Sequence, residues 1–166
     1  LAVGFIRRVN NQPLQWFPNM SHSFTKIWLH AVFSTKDRSP LILDKFESEL
    51  HDHLKQSLSK KFEIEVRAVN GMQEHVHIVF RLNPNFSLID IMKYIKGESS
   101  HWVNSNDFSN FKFAWQTGYS AFSVSESMLD AVVKYVNNQK EHHKKVSFKE
   151  EYDLFMKKYG NVLVNR

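Results

Sequence analysis

Two histidines separated by a single residue, His75 and His77, are the side chains of this sequence best placed to bind a metal ion. Apolar residues at the alternate positions Val76, Ile78 and Phe80 are typical of a β-strand with one buried face. On such a strand, residues two apart project to the same face about 6.6 Å apart, so the two imidazoles can converge on one ion. Taken alone, the pattern also fits a pair of surface histidines.

A second pair with the same spacing, His51 and His53, is not expected to bind metal. It lies in a segment whose apolar residues recur every four positions, which predicts a helix. The recurring residues are Phe46, Leu50, Leu54 and Leu58. Residues two apart on a helix point about 200° away from each other, so these imidazoles cannot share an ion.

Tyr135 and Gln139 stand four residues apart in a predicted helix, which makes them neighbours on one side of it. Helical geometry puts both at the border of an apolar stripe. The stripe consists of Val132, Val133 and Val136. A border position suits a side chain that is held firmly yet reaches a substrate, although a half-buried tyrosine beside a surface amide fits equally well. Tyr94 and Glu98 share this spacing, but Gly97 weakens their helical turn.

Basic residues cluster in and after the segment that contains Tyr135, between positions 134 and 149. Such a run often only faces solvent and complements the dipole of a helix end, but beside a reactive tyrosine it could bind phosphates. Trp28, His30 and Arg81 are predicted on a sheet face left open, where they would add stacking and charge for single-stranded nucleic acid. Packing of Trp28 in a subunit interface is the alternative.

The composition limits the possible classes of protein and site. With 166 residues, the chain is long enough for one compact domain and too short for two ordinary ones. Absence of cysteine excludes disulfides and thiolate metal ligands and is compatible with the reducing cytoplasm, where we expect the protein. Its apolar runs are too short for a membrane span or a secretory signal. A formal charge of +5 favours a polyanionic partner.

Three segments are predicted along the chain: an N-terminal extension over residues 1–19 that is non-native or disordered, a single domain over 20–160, and a C-terminal tail over 161–166. Strands are predicted at about residues 24–33, 62–69, 74–82 and 111–115. Asn70-Gly71 is the expected turn of the hairpin between the second and third strands.

Helices are predicted after Pro40, after Ser87 (in a capping box with Asp90), from Ser125 to about Gln139, and at about residues 147–158. A short extended piece is expected between residues 118 and 123. The order strand, helix, strand, strand, helix, strand predicts a ferredoxin-like α+β sandwich of the split βαβ type. Its antiparallel sheet would carry helices on one face, and the helix of Tyr135 would be an addition after this unit.

Four segments resemble, in the right order, motifs of the single-tyrosine HUH transposases of the insertion-sequence 200/605 type. They are residues 24–38, 74–80, 115–125 and 132–143, with the sequences FTKIWLHAVFSTKDR, EHVHIVF, WQTGYSAFSVS and VVKYVNNQKEHH. The second is similar to the His-hydrophobic-His motif of the family and the fourth to its nucleophile helix. The resemblance spans roughly residues 20–160. The family often has aspartate where Glu74 stands, and residues 1–19 have no counterpart in it.

This resemblance implies a DNA transposase that cleaves and rejoins single-stranded DNA, with a hairpin, at insertion-sequence ends through a 5′-phosphotyrosine intermediate. His75 and His77 would be metal ligands, Gln139 the third ligand and Tyr135 the nucleophile. The metal would be Mg²⁺ or Mn²⁺, and no nucleotide cofactor is expected, since the chain has no P-loop or Gly-rich dinucleotide motif. A homodimer is also implied, in which the Tyr135 helix of one subunit completes the site of the other after a linker at residues 118–123.

Six basic residues are predicted to contact the DNA. They are Lys36, Arg38, Arg81, Lys140, Lys144 and Lys145. The first two belong to the first matching segment, and the last three to the basic run.

Three alternatives stay open from the sequence. A domesticated relative would nick and transfer strands at repeats of its own chromosomal locus. A non-catalytic module would bind single-stranded nucleic acid on an open ferredoxin-like sheet, although histidines occupy positions where such modules carry aromatic residues. A zinc hydrolase using His75 and His77 is less favoured, because glutamine is a poor zinc ligand and no pattern places a third histidine or a carboxylate.

Overall fold

The computed structural model describes residues 24–106, 108, 110–144, 147, 150, 151, 153, 154 and 157. The predicted extension over residues 1–19, the tail over 161–166 and Lys145 lie outside the described residues. The strands are β1 (Trp28–Ser34), β2 (Val66–Met72), β3 (His75–Arg81) and β4 (Ser120–Val124). The α-helices are α1 (Asp44–Phe62), α2 (Leu88–Ser105), α3 (Leu129–Asn137) and α4 (Gln139–His142), with short 3-10 turns at Lys36–Arg38 and Glu126–Met128.

The four strands form one antiparallel sheet in the order β2-β3-β1-β4. This order arises when two crossovers, through α1 and α2, return over the same face of the sheet. The predicted ferredoxin-like α+β sandwich is therefore confirmed. Within the described part of the chain, no helix combines the length and the apolar character needed to cross a membrane.

One face of the sheet packs against α1 and α2 and carries the main hydrophobic core. The α1 side chains that enter this core repeat every four residues, as predicted. They are Phe46, Leu50, Leu54 and Leu58, all almost fully buried. Helix α2 begins at the predicted capping box, where Ser87 Oγ accepts a 3.1 Å hydrogen bond from the N–H of Asp90. On this face, the side chains that the four-residue repeat of α1 predicts to be buried are the ones that pack in the core.

The predicted fourth strand at residues 111–115 is wrong. This segment makes only an isolated bridge, between Trp115 and Thr35, and the edge strand is instead the extended piece at β4. Phe113 is fully buried in the main core, and the ring of Trp115 packs 4.7 Å from that of Phe33. Phe113 and Trp115, whose composition is typical of a strand, therefore pack in the core. The partly exposed segment Ser120–Val124 pairs with β1 instead.

The hairpin between β2 and β3 is confirmed, but its turn lies at residues 73–74 rather than at Asn70-Gly71. Both predicted turn residues belong to β2. At Gly71 a Cβ atom would lie 2.1 Å from the carbonyl oxygen of His75. Glycine, which has no Cβ atom, therefore allows the two strands to approach closely here. Asn70 uses its side chain to contact the end of α3.

The second face of the sheet is covered, not open as expected. Helix α3 lies across it, and Leu129 and Val136 bury Trp28, Ala68 and Val79. Because Trp28 and His30 are each only 3% exposed, they are not available to stack on bases, and the expectation that they bind nucleic acid is wrong. Coverage of this face also removes the platform that a sheet-based nucleic-acid-binding module would use.

The predicted helix from Ser125 to Gln139 is divided into shorter pieces. A 3-10 turn precedes α3, and the side chain of Ser125 makes no capping hydrogen bond to it. Helix α3 ends at Asn137, and α4 starts at Gln139. The expected linker at residues 118–123 is mostly β4, so α3 follows directly from the sheet edge. The predicted final helix lies largely outside the described residues, although residues 150, 151, 153, 154 and 157 within it are helical.

Candidate metal centre and active site

The two predicted metal-binding histidines lie together on β3, on the sheet face that α3 covers. Both side chains are fully buried, and their ring centroids are 4.9 Å apart. The strand period therefore orients them as expected. The structure adds their complete burial, which the strand period does not predict.

His77 is oriented by His30 from the neighbouring strand. His30 Nε2 and His77 Nδ1 share a 2.9 Å hydrogen bond, and the two rings stack. Burial lowers the pKa of His30 to about 4, and burial together with the charge of His30 holds the pKa of His77 well below its ordinary value. Both imidazoles are therefore neutral, which is the state that binds metal. The other nitrogen of His77, Nε2, is buried and has no hydrogen-bond partner among the described residues.

Gln139 is also fully buried, rather than at the border of a helix as predicted. The interruption at Asn138 breaks the simple four-residue relationship between Tyr135 and Gln139, so the argument from a continuous helix is wrong. The Gln139 Nε2 atom donates a 3.4 Å hydrogen bond to Glu151 Oε1, and its Oε1 has no partner among the described residues. Gln139 is thus connected to the histidine cluster through Glu151, which lies 3.7 Å from His77.

Two further side chains at this centre were not predicted as ligands. His75, His77, His143 and Glu151 each place one potential ligand atom within 4.8 Å of the others. Glu151 Oε2 lies 3.3 Å from His143 Nε2 and 3.7 Å from His77 Nε2. The sequence patterns indicate His143 only as part of a basic run, and Glu151 only as part of the predicted final helix at about residues 147–158. No local pattern connects either of them to β3.

Glu151 is a carboxylate in an environment that disfavours its charge. Its side chain is 4% exposed. Burial, with a smaller effect from the charge of Glu74, raises the pKa of Glu151 to about 7. The buried acceptors Glu151 Oε2, Gln139 Oε1 and His77 Nε2 lack hydrogen-bond partners among the described residues. Such a set is what a bound cation would satisfy, so the residues present fit a divalent metal.

Tyr135 lies beside these histidines within the same chain. Its ring is half-buried, and its centroid is 6.0 Å from that of His77 and 5.3 Å from that of His142, with edge-on geometry. The rival Tyr94 belongs to α2 on the opposite face of the sheet, where it packs against Phe62. Tyr135 therefore lies at the edge of the histidine cluster, whereas Tyr94 does not.

A family comparison identifies this arrangement. The sequence profile described as "Transposase IS200 like" matches residues 23–139. The chain belongs to the IS200-like transposase family. The matched residues contain His75, His77, Tyr135 and Gln139, whereas His143 and Glu151 lie after them. Membership of a transposase family means that the protein binds DNA and acts in DNA recombination.

Two solved structures share the fold of this IS200-like transposase family member. One, a protein from Deinococcus radiodurans R1 assigned as a transposase, has 23% identity and a TM-score of 0.57, over 74% of this chain and 98% of that chain. The other is a REP-associated tyrosine transposase bound to a REP hairpin, with 14% identity and a TM-score of 0.57, over 78% of this chain and 76% of that chain. No curated protein matches the chain.

The basic residues of this family member are not equally close to the centre. Lys36 and Arg38 are exposed on the turn after β1, at the sheet end where Ser34 pairs with His75. Arg38 also lines a cavity of about 580 Å³ together with Gln116 and Tyr119. These two basic residues are therefore brought to the sheet end that carries the histidines.

Three other predicted DNA contacts have different surroundings. Arg81 stands at the far end of β3 and forms an ion pair with Glu65, so the structure does not bring it to the centre. Lys140 Nζ lies 2.5 Å from a carboxylate oxygen of Glu47, and Lys144 forms an ion pair with Glu141. An adjacent carboxylate weakens the attraction of a cation for phosphate, so we expect these three residues to contribute less to DNA binding than the turn after β1.

Proposed function

We propose that this protein cleaves and rejoins single-stranded DNA through a 5′-phosphotyrosine link at Tyr135. The observation that carries the proposal is the position of the Tyr135 ring, 6.0 Å from that of His77 in a buried histidine cluster. Family membership supports it, since these residues lie within the matched segment. The substrate would be single-stranded DNA with a hairpin, as in the related transposase whose structure contains a REP hairpin.

The proposed reaction exchanges one phosphate ester for another. The phenolic oxygen of Tyr135 attacks the phosphorus, the bond from phosphorus to the 3′ oxygen breaks, and the phenol proton ends, in the net reaction, on the released 3′ hydroxyl. Rejoining is the reverse attack by a 3′ hydroxyl. Because the ester bond is conserved, the reaction needs no nucleotide cofactor.

A divalent metal, Mg²⁺ or Mn²⁺, is proposed as the cofactor, held by His75, His77 and Gln139. When bound, such an ion supplies Lewis-acid stabilisation of phosphate charge. The chain itself orients the ligands: when the Nδ1–H of His77 donates the 2.9 Å hydrogen bond to His30 Nε2, the Nε2 atom of His77 carries a lone pair for the ion. Helix α3 and α4 exclude water from the fully buried histidines.

We further propose that each site is completed within one chain. In support, α3 buries Trp28 and Val79 of its own sheet, and Tyr135 contacts the histidines of its own chain. The homodimer with sites completed in trans, which the resemblance implies, stays a prediction. It would require α3 to leave the apolar face on which it lies here.

Intact-protein mass spectrometry tests the proposed function. The wild-type protein, incubated with a single-stranded hairpin substrate, should gain the mass of a 5′-linked DNA fragment. Tyr135→Phe should lose this adduct while keeping its circular dichroism spectrum and its DNA affinity. A matched control is Tyr94→Phe, which lies on the other side of the sheet and should form the adduct normally. An adduct that persists in Tyr135→Phe, or that maps to Tyr94 or Tyr119, would disprove the assignment.

A further inference from the structure

The buried centre contains more potential ligands than the family resemblance implies. His143 and Glu151 follow the segment that matches the family profile, yet both reach the His75–His77 pair. The Glu151 Oε2 atom is 3.3 Å from His143 Nε2 and 3.7 Å from His77 Nε2. Two ligand atoms about 2.0 Å from one tetrahedral ion stand roughly 3.3 Å apart, so these separations suit ligands of a common ion.

We propose that His143 and Glu151 are metal ligands, and that with His75 and His77 they form a three-histidine, one-carboxylate site selective for a transition-metal ion over Mg²⁺. This inference rests on the metal dependence in the proposed function but not on the role of Tyr135. It replaces Gln139 as a ligand, giving it the role of positioning Glu151, and of the two ions named above it favours Mn²⁺ over Mg²⁺. It makes two residues that follow α4, His143 and Glu151, part of the metal site.

The burial of Glu151 and His77, and the lack of hydrogen-bond partners for their ligand atoms within the described part of the chain, favour this larger ligand set. Glu151 and His77 are each less than about a tenth exposed, and Glu151 Oε2 and His77 Nε2 lack a hydrogen-bond partner among the described residues. A carboxylate oxygen and imidazole nitrogens that lie this close in a buried site without a hydrogen bond between them need a shared cation to offset their lost solvation. Gln139 donates to the second oxygen, Glu151 Oε1, and so positions this carboxylate toward the histidines.

The chemistry of the donors determines which metal is preferred. Mg²⁺ binds oxygen ligands in a strict octahedron and keeps several waters, so three imidazoles suit it poorly. Imidazole ligands favour Zn²⁺, Co²⁺ and neighbouring first-row ions, and the single carboxylate leaves the site compatible with Mn²⁺. Absence of cysteine from the chain also removes the thiolates that would make a structural zinc site. We therefore expect tight Co²⁺ and Zn²⁺ binding, weaker Mn²⁺ binding and the weakest binding of Mg²⁺.

Metal binding without DNA tests the proposal. Purified full-length protein is titrated with Co²⁺, and the visible d–d bands of the bound ion report both affinity and nitrogen coordination. Glu151→Gln and His143→Ala should each weaken Co²⁺ binding by roughly 100-fold or more, since even residues that only support metal ligands usually contribute 10- to 100-fold. Two matched controls should bind Co²⁺ like the wild type. Asp153→Asn removes an exposed carboxylate, as a match for Glu151→Gln, and His101→Ala removes an exposed imidazole, as a match for His143→Ala.

A second readout guards against a folding defect in the variants. Co²⁺ should raise the melting temperature of the wild type, whereas Glu151→Gln, if folded by circular dichroism, should show no such rise. Wild-type-like Co²⁺ affinity in both variants, or displacement of Co²⁺ by an equal concentration of Mg²⁺, would overturn the proposal and leave a hydrogen-bonded cluster of histidines and a carboxylate. The phosphotyrosine proposal has a different failure: protein that binds metal normally would form no adduct with DNA.

Discussion

The side-chain amide of Asn70 donates a 2.8 Å hydrogen bond to the main-chain carbonyl of Asn137, the last residue of the helix that carries Tyr135. Asn70 pairs directly with His77 across β2 and β3. A single side chain of β2, directly beside His77 of β3, therefore holds the end of the tyrosine helix. Because the carbonyls at a helix end lack partners within the helix, this bond also helps to terminate α3.

Replacing Asn70 by alanine should slow DNA–protein adduct formation more than it affects folding. Loss of one partly exposed hydrogen bond should lower the free energy of unfolding by about 1 kcal/mol. The end of α3 would then be held less firmly over the histidines. Asn106→Ala is a matched control, since Asn106 makes a similar 2.8 Å bond to the carbonyl of Trp102 on the other side of the sheet. Equal loss of adduct formation in both variants would show that only stability is affected.

Two glycine substitutions should change stability in opposite directions. At Gly71, an alanine Cβ would lie 2.1 Å from the His75 carbonyl oxygen, so Gly71→Ala should destabilise the hairpin by roughly 1–3 kcal/mol. Gly97 lies within α2, and an added methyl group would meet nothing within 4 Å apart from the adjacent backbone of its own helix, so Gly97→Ala should stabilise the protein by about 1 kcal/mol. Urea unfolding measures both values. A neutral Gly71→Ala would show that the two strands can separate without cost.

Removal of the metal should stop cleavage but not binding of the DNA. Excess chelator, or His77→Ala, should abolish the adduct, and adding Mn²⁺ back should restore it only in the wild-type protein. His53→Ala is the control, because His53 lies on α1 and bonds Glu98 of α2, within the helices on the opposite side of the sheet. Gel analysis of a labelled hairpin substrate follows cleavage. Full cleavage in excess chelator would exclude a metal-dependent reaction.

Mixing two inactive variants distinguishes a site within one chain from a site shared by two. If each site is completed in cis, His77→Ala protein combined with Tyr135→Phe protein should show no recovery of cleavage. In a homodimer completed in trans, a mixed dimer would contain one intact site, and cleavage would return. Subunit exchange is verified separately by mass spectrometry of tagged subunits. Recovered cleavage would therefore contradict the arrangement in which α3 covers its own sheet.

Lys36 and Arg38 should contribute more to DNA affinity than Lys144, because they stand at the sheet end that carries His75. Each replacement by glutamine, Lys36→Gln or Arg38→Gln, should lower the slope of log affinity against log salt by about 0.7 for single-stranded DNA. Lys144→Gln should lower it less, because Lys144 pairs with Glu141. Fluorescence anisotropy at several salt concentrations measures the slope, with the exposed Lys60→Gln on α1 as control. Unchanged slopes in the first two variants would remove this turn from the DNA-binding surface.

Much of the fold could be predicted from local sequence patterns. The alternation around His75 and His77 put both imidazoles on one face, because successive side chains of a strand point in opposite directions. The four-residue repeat of α1 and the capping box at Ser87 likewise depend on residues close together in the chain. For these elements, local periodicity and tertiary packing require the same arrangement, and the predicted topology followed from their order.

What the local patterns left undecided depends on residues far apart in the chain. Aromatic residues at 111–115 have a strand-like composition, yet Phe113 fills the core and β4 forms the sheet edge. The second sheet face was predicted to be open. The two-residue alternation of a strand shows which of its side chains share a face, but it does not show whether another element covers that face. Tertiary structure alone brought His143 and Glu151 to the histidines of β3, since their approach depends on how the chain turns after α3. No periodicity within one element determines that path.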